Sequence, residues 1–147
     1  MFGGIISDLN TNDINVLYEI GKNLGIAFQL EDDLLDSFGD EAKFGKKIGG
    51  DIIEQKKTLL FIFTQAKLNG DQRLEFENVF FSDKIDDLEK INSIKTFYES
   101  SGAVNYLKNK VEQYSANAKN LINDLQIDSG SKLKLNTFSE KLLNREI

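Results

Sequence analysis

Apolar positions recur at steps of three and four along most of the chain, the spacing of one face of an α-helix. From Asp13 to about Ser37 the repeat runs Ile14, Leu17, Tyr18, Leu24, Phe28 and Leu35, while Ile20, Ala27, Leu30 and Leu34 fall on other faces. A helix that is apolar on several sides is packed on several sides. Gly21 and Gly25 interrupt it four residues apart. Each costs roughly 1 kcal/mol relative to Ala, which predicts a close approach by another backbone. Upstream, Phe2 to Ile6 reads as the tail of a buried helix. Ser7 to Asn12 reads as a loop in which Thr11 or Asn12 caps the long helix.

Ser37 to Gly50 is rich in Gly, Asp and Lys and is expected to be a loop. A second helix is predicted from Asp51 to Leu68, ending near Asn69-Gly70. Shorter ones follow around Gln72–Phe81 and Lys84–Ser100, the latter carrying Ile85, Leu88, Ile91, Ile94 and Tyr98, and Gly102 marks a break. Val104, Leu107, Val111, Tyr114, Ala118, Leu121 and Leu125 then define one long amphipathic helix. A last helix near Lys132–Asn144 carries Leu135, Phe138 and Leu142. With no repeat, linker or low-complexity tract, the expected fold is an all-α helical bundle in a single domain.

Composition narrows the chemistry. The 147 residues include eleven Phe but no Pro, Trp, Cys or His. Without Cys there is neither a disulfide framework nor a thiolate site. Without His, the commonest zinc ligand and general base is missing as well. The net charge of −6 argues against a nucleic-acid partner, because phosphate backbones reward an excess of Lys and Arg. No apolar run approaches the roughly 20 residues of a membrane helix, so a cytoplasmic protein without an integral membrane segment is expected. Catalysis would have to run on carboxylates, lysines, amides, hydroxyls and bound metal.

Three segments carry such groups. In Phe28-Gln29-Leu30-Glu31-Asp32-Asp33-Leu34-Leu35-Asp36, helical spacing puts Gln29, Asp32 and Asp36 on one face, with Asp33 at its edge. Carboxylates this close raise one another's pKa unless a cation sits among them. Mg²⁺ suits the group because it takes few carboxylates and shares its other positions with water and phosphate oxygens. Next comes Gly45-Lys46-Lys47-Ile48-Gly49-Gly50, whose glycines let backbone approach a ligand and whose Lys46 is placed to reach phosphate. Its spacing is not that of a P-loop. In the third segment, Asp51 to Thr58, Lys56 shares a helical stripe with Ile52, Ile53 and Leu60 and so could point into a cleft. Singly, each segment is read as well by a solvated acidic face, an ordinary Gly-Lys loop and a snorkelling lysine.

Together they resemble the trans-isoprenyl diphosphate synthases, the polyprenyl synthetase family. Phe28, Gln29, Asp32, Asp33 and Asp36 match that family's second aspartate-rich motif. Gly45 and Lys46 match its Gly-Lys, and Asp51, Glu54, Lys56 and Thr58 match its Asp-x-x-Glu-x-Lys-x-Thr stretch. Tyr18, Gly21 and Gly25 match the lead-in. Gln55 departs from it, standing where many members have Gly.

The resemblance implies an isoprenoid synthase fold and a Mg²⁺-dependent condensation of an allylic diphosphate with isopentenyl diphosphate, in an enzyme that is a homodimer when intact. It implies Asp32, Asp33 and Asp36 as the metal-binding acids and Lys46 and Lys56 as diphosphate-binding, catalytic cations. Gln29 would face the reacting allylic carbon, and Phe28 would line the isopentenyl side. The family's first aspartate-rich motif, its arginine pair and its Lys-Thr pair do not occur in this sequence. The chain is therefore expected to be the C-terminal portion of one synthase domain, inactive alone. A noncatalytic partner subunit and a helical interaction protein are the competing readings. Product chain length is not legible.

Overall fold

The computed structural model describes residues 2–6, 9–40 and 48–143. Among them the chain is helical without strands: α1 (Phe2–Ile6), α2 (Thr11–Phe38), α3 (Gly50–Ile53), α4 (Leu59–Lys67), α5 (Gly70–Phe80), α6 (Asp87–Ser100), α7 (Ala103–Asp124) and α8 (Ser129–Leu143). The all-α expectation is met. The chain forms two compact units, one up to Gln29 and from Lys110 onward, the other from Leu30 to Asn109.

In the first unit, Ile20 and Leu24 of α2 pack with Ala118 and Ile122 of α7 and with Leu125, ringed by Val16, Leu17, Leu121, Ile127, Leu135, Leu142 and Leu143. α2 starts two residues earlier than its periodicity suggests, and its cap is Asn10 rather than Thr11 or Asn12. The Asn10 carbonyl accepts from Ile14 N–H at 3.1 Å, and its Oδ1 accepts from Asp13 N–H at 2.9 Å. Asn10 Nδ2 also donates to the buried Asp13 carboxylate at 2.7 Å, so one residue satisfies both a helix end and a buried charge. Asn10→Ala is expected to cost about 1 kcal/mol, lowering Tm by roughly 2–4 °C, with Asn10→Ser retaining the cap without setting a second carboxylate against Asp13. Thermal unfolding followed by circular dichroism measures both, and equal losses would mean that the cap is dispensable.

α1 is helical as expected, but its isoleucines are not its buried side: Ile5 and Ile6 are 50% and 82% exposed. Contact is made at Gly4, where a β-carbon would lie 3.0 Å from Leu17 Cδ1. The expected close approach at Gly21 and Gly25 is not made either, since nothing lies within 4 Å of where their β-carbons would stand. On α8, Leu135 and Leu142 face the core, whereas Phe138 is exposed.

The second unit is organised by aromatic rings. Phe61 of α4 lies 5.2 Å from Phe76 and 4.4 Å from Phe80 of α5 between ring centroids, and Phe76 reaches Tyr98 of α6 at 6.2 Å. Leu34, Leu35, Ile52, Leu60, Ile94 and Leu107 complete this buried set. Asp86 caps α6, accepting from Leu88 N–H at 3.0 Å, and Gly102 ends it at φ 80.

The predicted helix from Asp51 to Leu68 is a correction: it is broken between α3 and α4. Gln55 takes φ 54, with Gln55 N–H donating to Ile52 O at 3.1 Å and Lys56 N–H to Asp51 O at 2.9 Å. These paired bonds are a helix C-terminus closed through a left-handed residue. The chain restarts at Thr58, which is extended at φ −65 and ψ 175. Apolar spacing alone does not reveal such a break, because Ile52 and Leu60 are buried on either side of it.

Candidate functional site

Helix α2 carries Phe28, Gln29, Asp32, Asp33 and Asp36 in a continuous stretch of backbone. Gln29 is exposed, Phe28, Asp32 and Asp36 are half-buried, and Asp33 is buried. The shared face of Gln29, Asp32 and Asp36 is thus the more open one, and Asp33 turns inward.

Asp36 is the best-defined of these acids. Its carbonyl accepts from Gly49 N–H at 2.6 Å, and its Oδ2 accepts from Asp51 N–H at 2.9 Å. Two glycines permit this. Gly49 sits at φ 83, and a β-carbon there would meet the Ile91 side chain at 2.6 Å; a β-carbon at Gly50 would stand 3.1 Å from Asp36 Oδ1. Burial pushes the Asp36 carboxyl above the ordinary carboxylate range, against the opposing pull of the Asp51 N–H. Asp51 and Glu54 push it up further by their charge, while Lys56 pulls it down.

Lys56 is not where helical spacing puts it. It lies in the break after α3, exposed, with Nζ 2.7 Å from Asp51 Oδ1 and 2.8 Å from Glu54 Oε2. Its ammonium therefore points at carboxylates rather than into a cleft beside Ile52 and Ile53, because leaving the helix at Gln55 redirects it. Hydrogen bonds to those two carboxylates hold its pKa well above the usual lysine range. Thr58 shares a hydrogen bond with the hydroxyl of buried Tyr98, whose phenol is pushed up by burial and then by the charges of Asp51, Asp33 and Asp36. Lys46, with Gly45 and Lys47, lies outside the described residues.

Among the described residues no group of three or more acidic side chains is placed to hold a metal ion by itself. Asp36 offers carboxylate oxygens, the ligands a hard divalent cation prefers. A half-buried carboxylate beside a glycine cradle, with its pKa raised by burial, fits a cation drawing its other ligands from water and phosphate. Apolar periodicity did not single out Tyr98 for this site, reading it as one position of a core stripe. It also missed Asp83, which binds Gln55 Nε2 through Oδ1 at 2.9 Å. The one sequence signal for that contact was a glutamine where the family often has glycine.

An all-α chain with an aspartate-rich helix against a Gly-Gly turn is the architecture of an isoprenoid synthase. The chain belongs to the polyprenyl synthetase family, whose model matches residues 1–98. It is 32% identical over 127 residues to a geranylgeranyl diphosphate synthase of Sulfolobus acidocaldarius, covering 86% of this chain and 38% of that protein. A solved geranylgeranyl pyrophosphate synthase superposes with a TM-score of 0.86 at 36% identity, over 99% of this chain and 45% of the other. Another, from Corynebacterium glutamicum and complexed with isoprenyl diphosphate and magnesium, gives 0.83 at 28% identity over 96% and 40%. The chain spans less than half the length of these proteins. No helix among the described residues is long and apolar enough to cross a membrane.

Proposed function

We propose that this chain supplies the second acidic wall of a trans-prenyltransferase that condenses an allylic diphosphate with isopentenyl diphosphate. The observation that carries the reading is Asp36, a half-buried carboxylate with its pKa raised by burial and one oxygen held by Asp51 N–H. Such a group gains most from a neighbouring cation. In this reading Asp32 and Asp36 hold Mg²⁺, with Asp33 completing the acidic turn behind them. Bound magnesium would neutralise charge on the diphosphate and make it a better leaving group.

Lys46 and Lys56 bind diphosphate oxygens. For Lys56 this means sharing or exchanging its contacts with Asp51 and Glu54, a swap that its exposed position allows. Gln29 faces the allylic carbon and Phe28 the isopentenyl side. The allylic C–O bond breaks, the isopentenyl double bond attacks the allylic carbon, and a proton is lost from the adduct. Apolar walls keep water from the cation formed on the way. Extension to a cytoplasmic homodimer rests on the family resemblance.

The test is turnover, in an enzyme containing these residues, of geranyl diphosphate and labelled isopentenyl diphosphate with and without Mg²⁺. Lys46→Ala should lower kcat/KM by roughly 10²-fold, since it removes a cation from the leaving-group side, and Lys47→Ala should do far less. Equal effects of the two would mean that the register of the Gly-Lys match is wrong. Magnesium-independent turnover would overturn the metal assignment, and no turnover at all would leave a noncatalytic partner.

A further inference from the structure

We infer that Asp83, in the α5–α6 connection, is a positioning residue for Lys56, acting through Gln55; the inference rests on the diphosphate-binding reading of Lys56. The left-handed place at a helix end closed in this way is normally glycine's, and Gly102 fills the equivalent place after α6 at φ 80. Gln55 holds it after α3 at φ 54, where its β-carbon crowds the following carbonyl. A residue in that conformation persists when its surroundings hold it there. The holding contact is Gln55 Nε2 donating to Asp83 Oδ1 at 2.9 Å, across 28 positions of sequence.

The connection that carries Asp83 is itself anchored. Lys90 of α6, only 3% exposed, donates from Nζ to the Ser82 carbonyl at 3.0 Å. Ser82 Oγ accepts from Lys84 N–H at 3.2 Å. On the other side of Lys56, the Lys57 ammonium lies 5.7 Å from the ring centroid of Phe81. Both neighbours of Lys56 are thus gripped by one short segment, Gln55 by Asp83 and Lys57 by Phe81. The lysine between them is left facing Asp51 and Glu54, beside the carboxylate of Asp36 that Asp51 N–H binds. Where a glycine would make the turn without help, this chain uses a glutamine and a distant aspartate.

The experiment is calorimetric titration of this chain with inorganic diphosphate in MgCl₂, with Lys56→Ala setting the full loss. Asp83→Ala should weaken binding about two- to tenfold, the range of one hydrogen bond. Asp83→Asn keeps the acceptor oxygen and should bind as the wild type does. Gln55→Ala cuts the same tether from the other end and should match Asp83→Ala, which decides the matter should that variant fail to fold. In a Gln55→Gly background, Asp83→Ala should add nothing. If Lys56→Ala weakens binding while Asp83→Ala and Gln55→Ala do not, the positioning role is wrong and the diphosphate reading stands. The positioning role fails equally if Asp83→Asn is as weak as Asp83→Ala, or if the Gln55→Gly background leaves the loss intact. No binding by the wild type, or no effect of Lys56→Ala, overturns both.

Discussion

In the proposed prenyltransferase, Asp36→Asn is expected to lower turnover by roughly 10²-fold, the scale of removing a charge-stabilising group from a leaving-group site, while making the metal-free protein slightly more stable at neutral pH. The two effects share one cause. Burial raises the Asp36 pKa in the fold above its unfolded value. Its contribution to stability is therefore fully present below the unfolded pKa and lost as pH rises through the folded one. At pH 7 the ionised group opposes folding, and Asn removes that opposition while its Oδ1 still accepts from Asp51 N–H. The side chain is half-buried rather than sealed from water, so the gain is expected to be no more than about 0.5 kcal/mol, a rise in Tm of roughly 1–2 °C. It should vanish in acid, where the wild-type group is protonated too. Thermal melts of the two proteins at several pH values, with magnesium-dependent turnover measured alongside, check both halves. A stability loss at neutral pH would make Asp36 a structural acceptor, and unchanged turnover would remove it from the metal site.

The largest stability effect is expected at Gly49, the turn that brings α3 onto the end of α2. Gly49→Ala costs about 1–2 kcal/mol for an L-residue in the left-handed region. Its β-carbon would stand 2.6 Å from Ile91, and overpacking of that kind costs typically about 1–3 kcal/mol more. A total near 2–5 kcal/mol would lower Tm by roughly 5–15 °C. Gly102 provides the control: it too is left-handed, at φ 80, but nothing lies within 4 Å of its β-carbon position. Gly102→Ala should show the backbone cost alone, and the difference between the two melts isolates the contact with Ile91. Equal losses would mean that Ile91 moves aside freely. Because Gly49 N–H also binds the Asp36 carbonyl at 2.6 Å, Gly49→Ala should, under the proposed function, weaken diphosphate binding even where the chain remains folded.

Local pattern by itself determined the helical class, the course of α2 and α7, and the break at Gly102. These follow from side chains three and four apart and from glycine's freedom at a helix end, both written within a few residues. The joint match of the aspartate-rich helix, the Gly-Lys and the Asp51-to-Thr58 stretch determined the family in the same local way. The tertiary structure decided where the chain leaves the helix after Ile53 and where Lys56 points. Local spacing runs on helically through both places, and the contact that overrides it comes from Asp83, 28 residues away. It decided the state of Asp36 as well, through burial, with Asp51 N–H at a separation of 15 pulling the other way, and it gave Tyr98 a hydroxyl partner in Thr58 rather than a purely apolar place. A side chain's charge and direction depend on what is folded against it, and partners so distant in sequence leave no periodic trace.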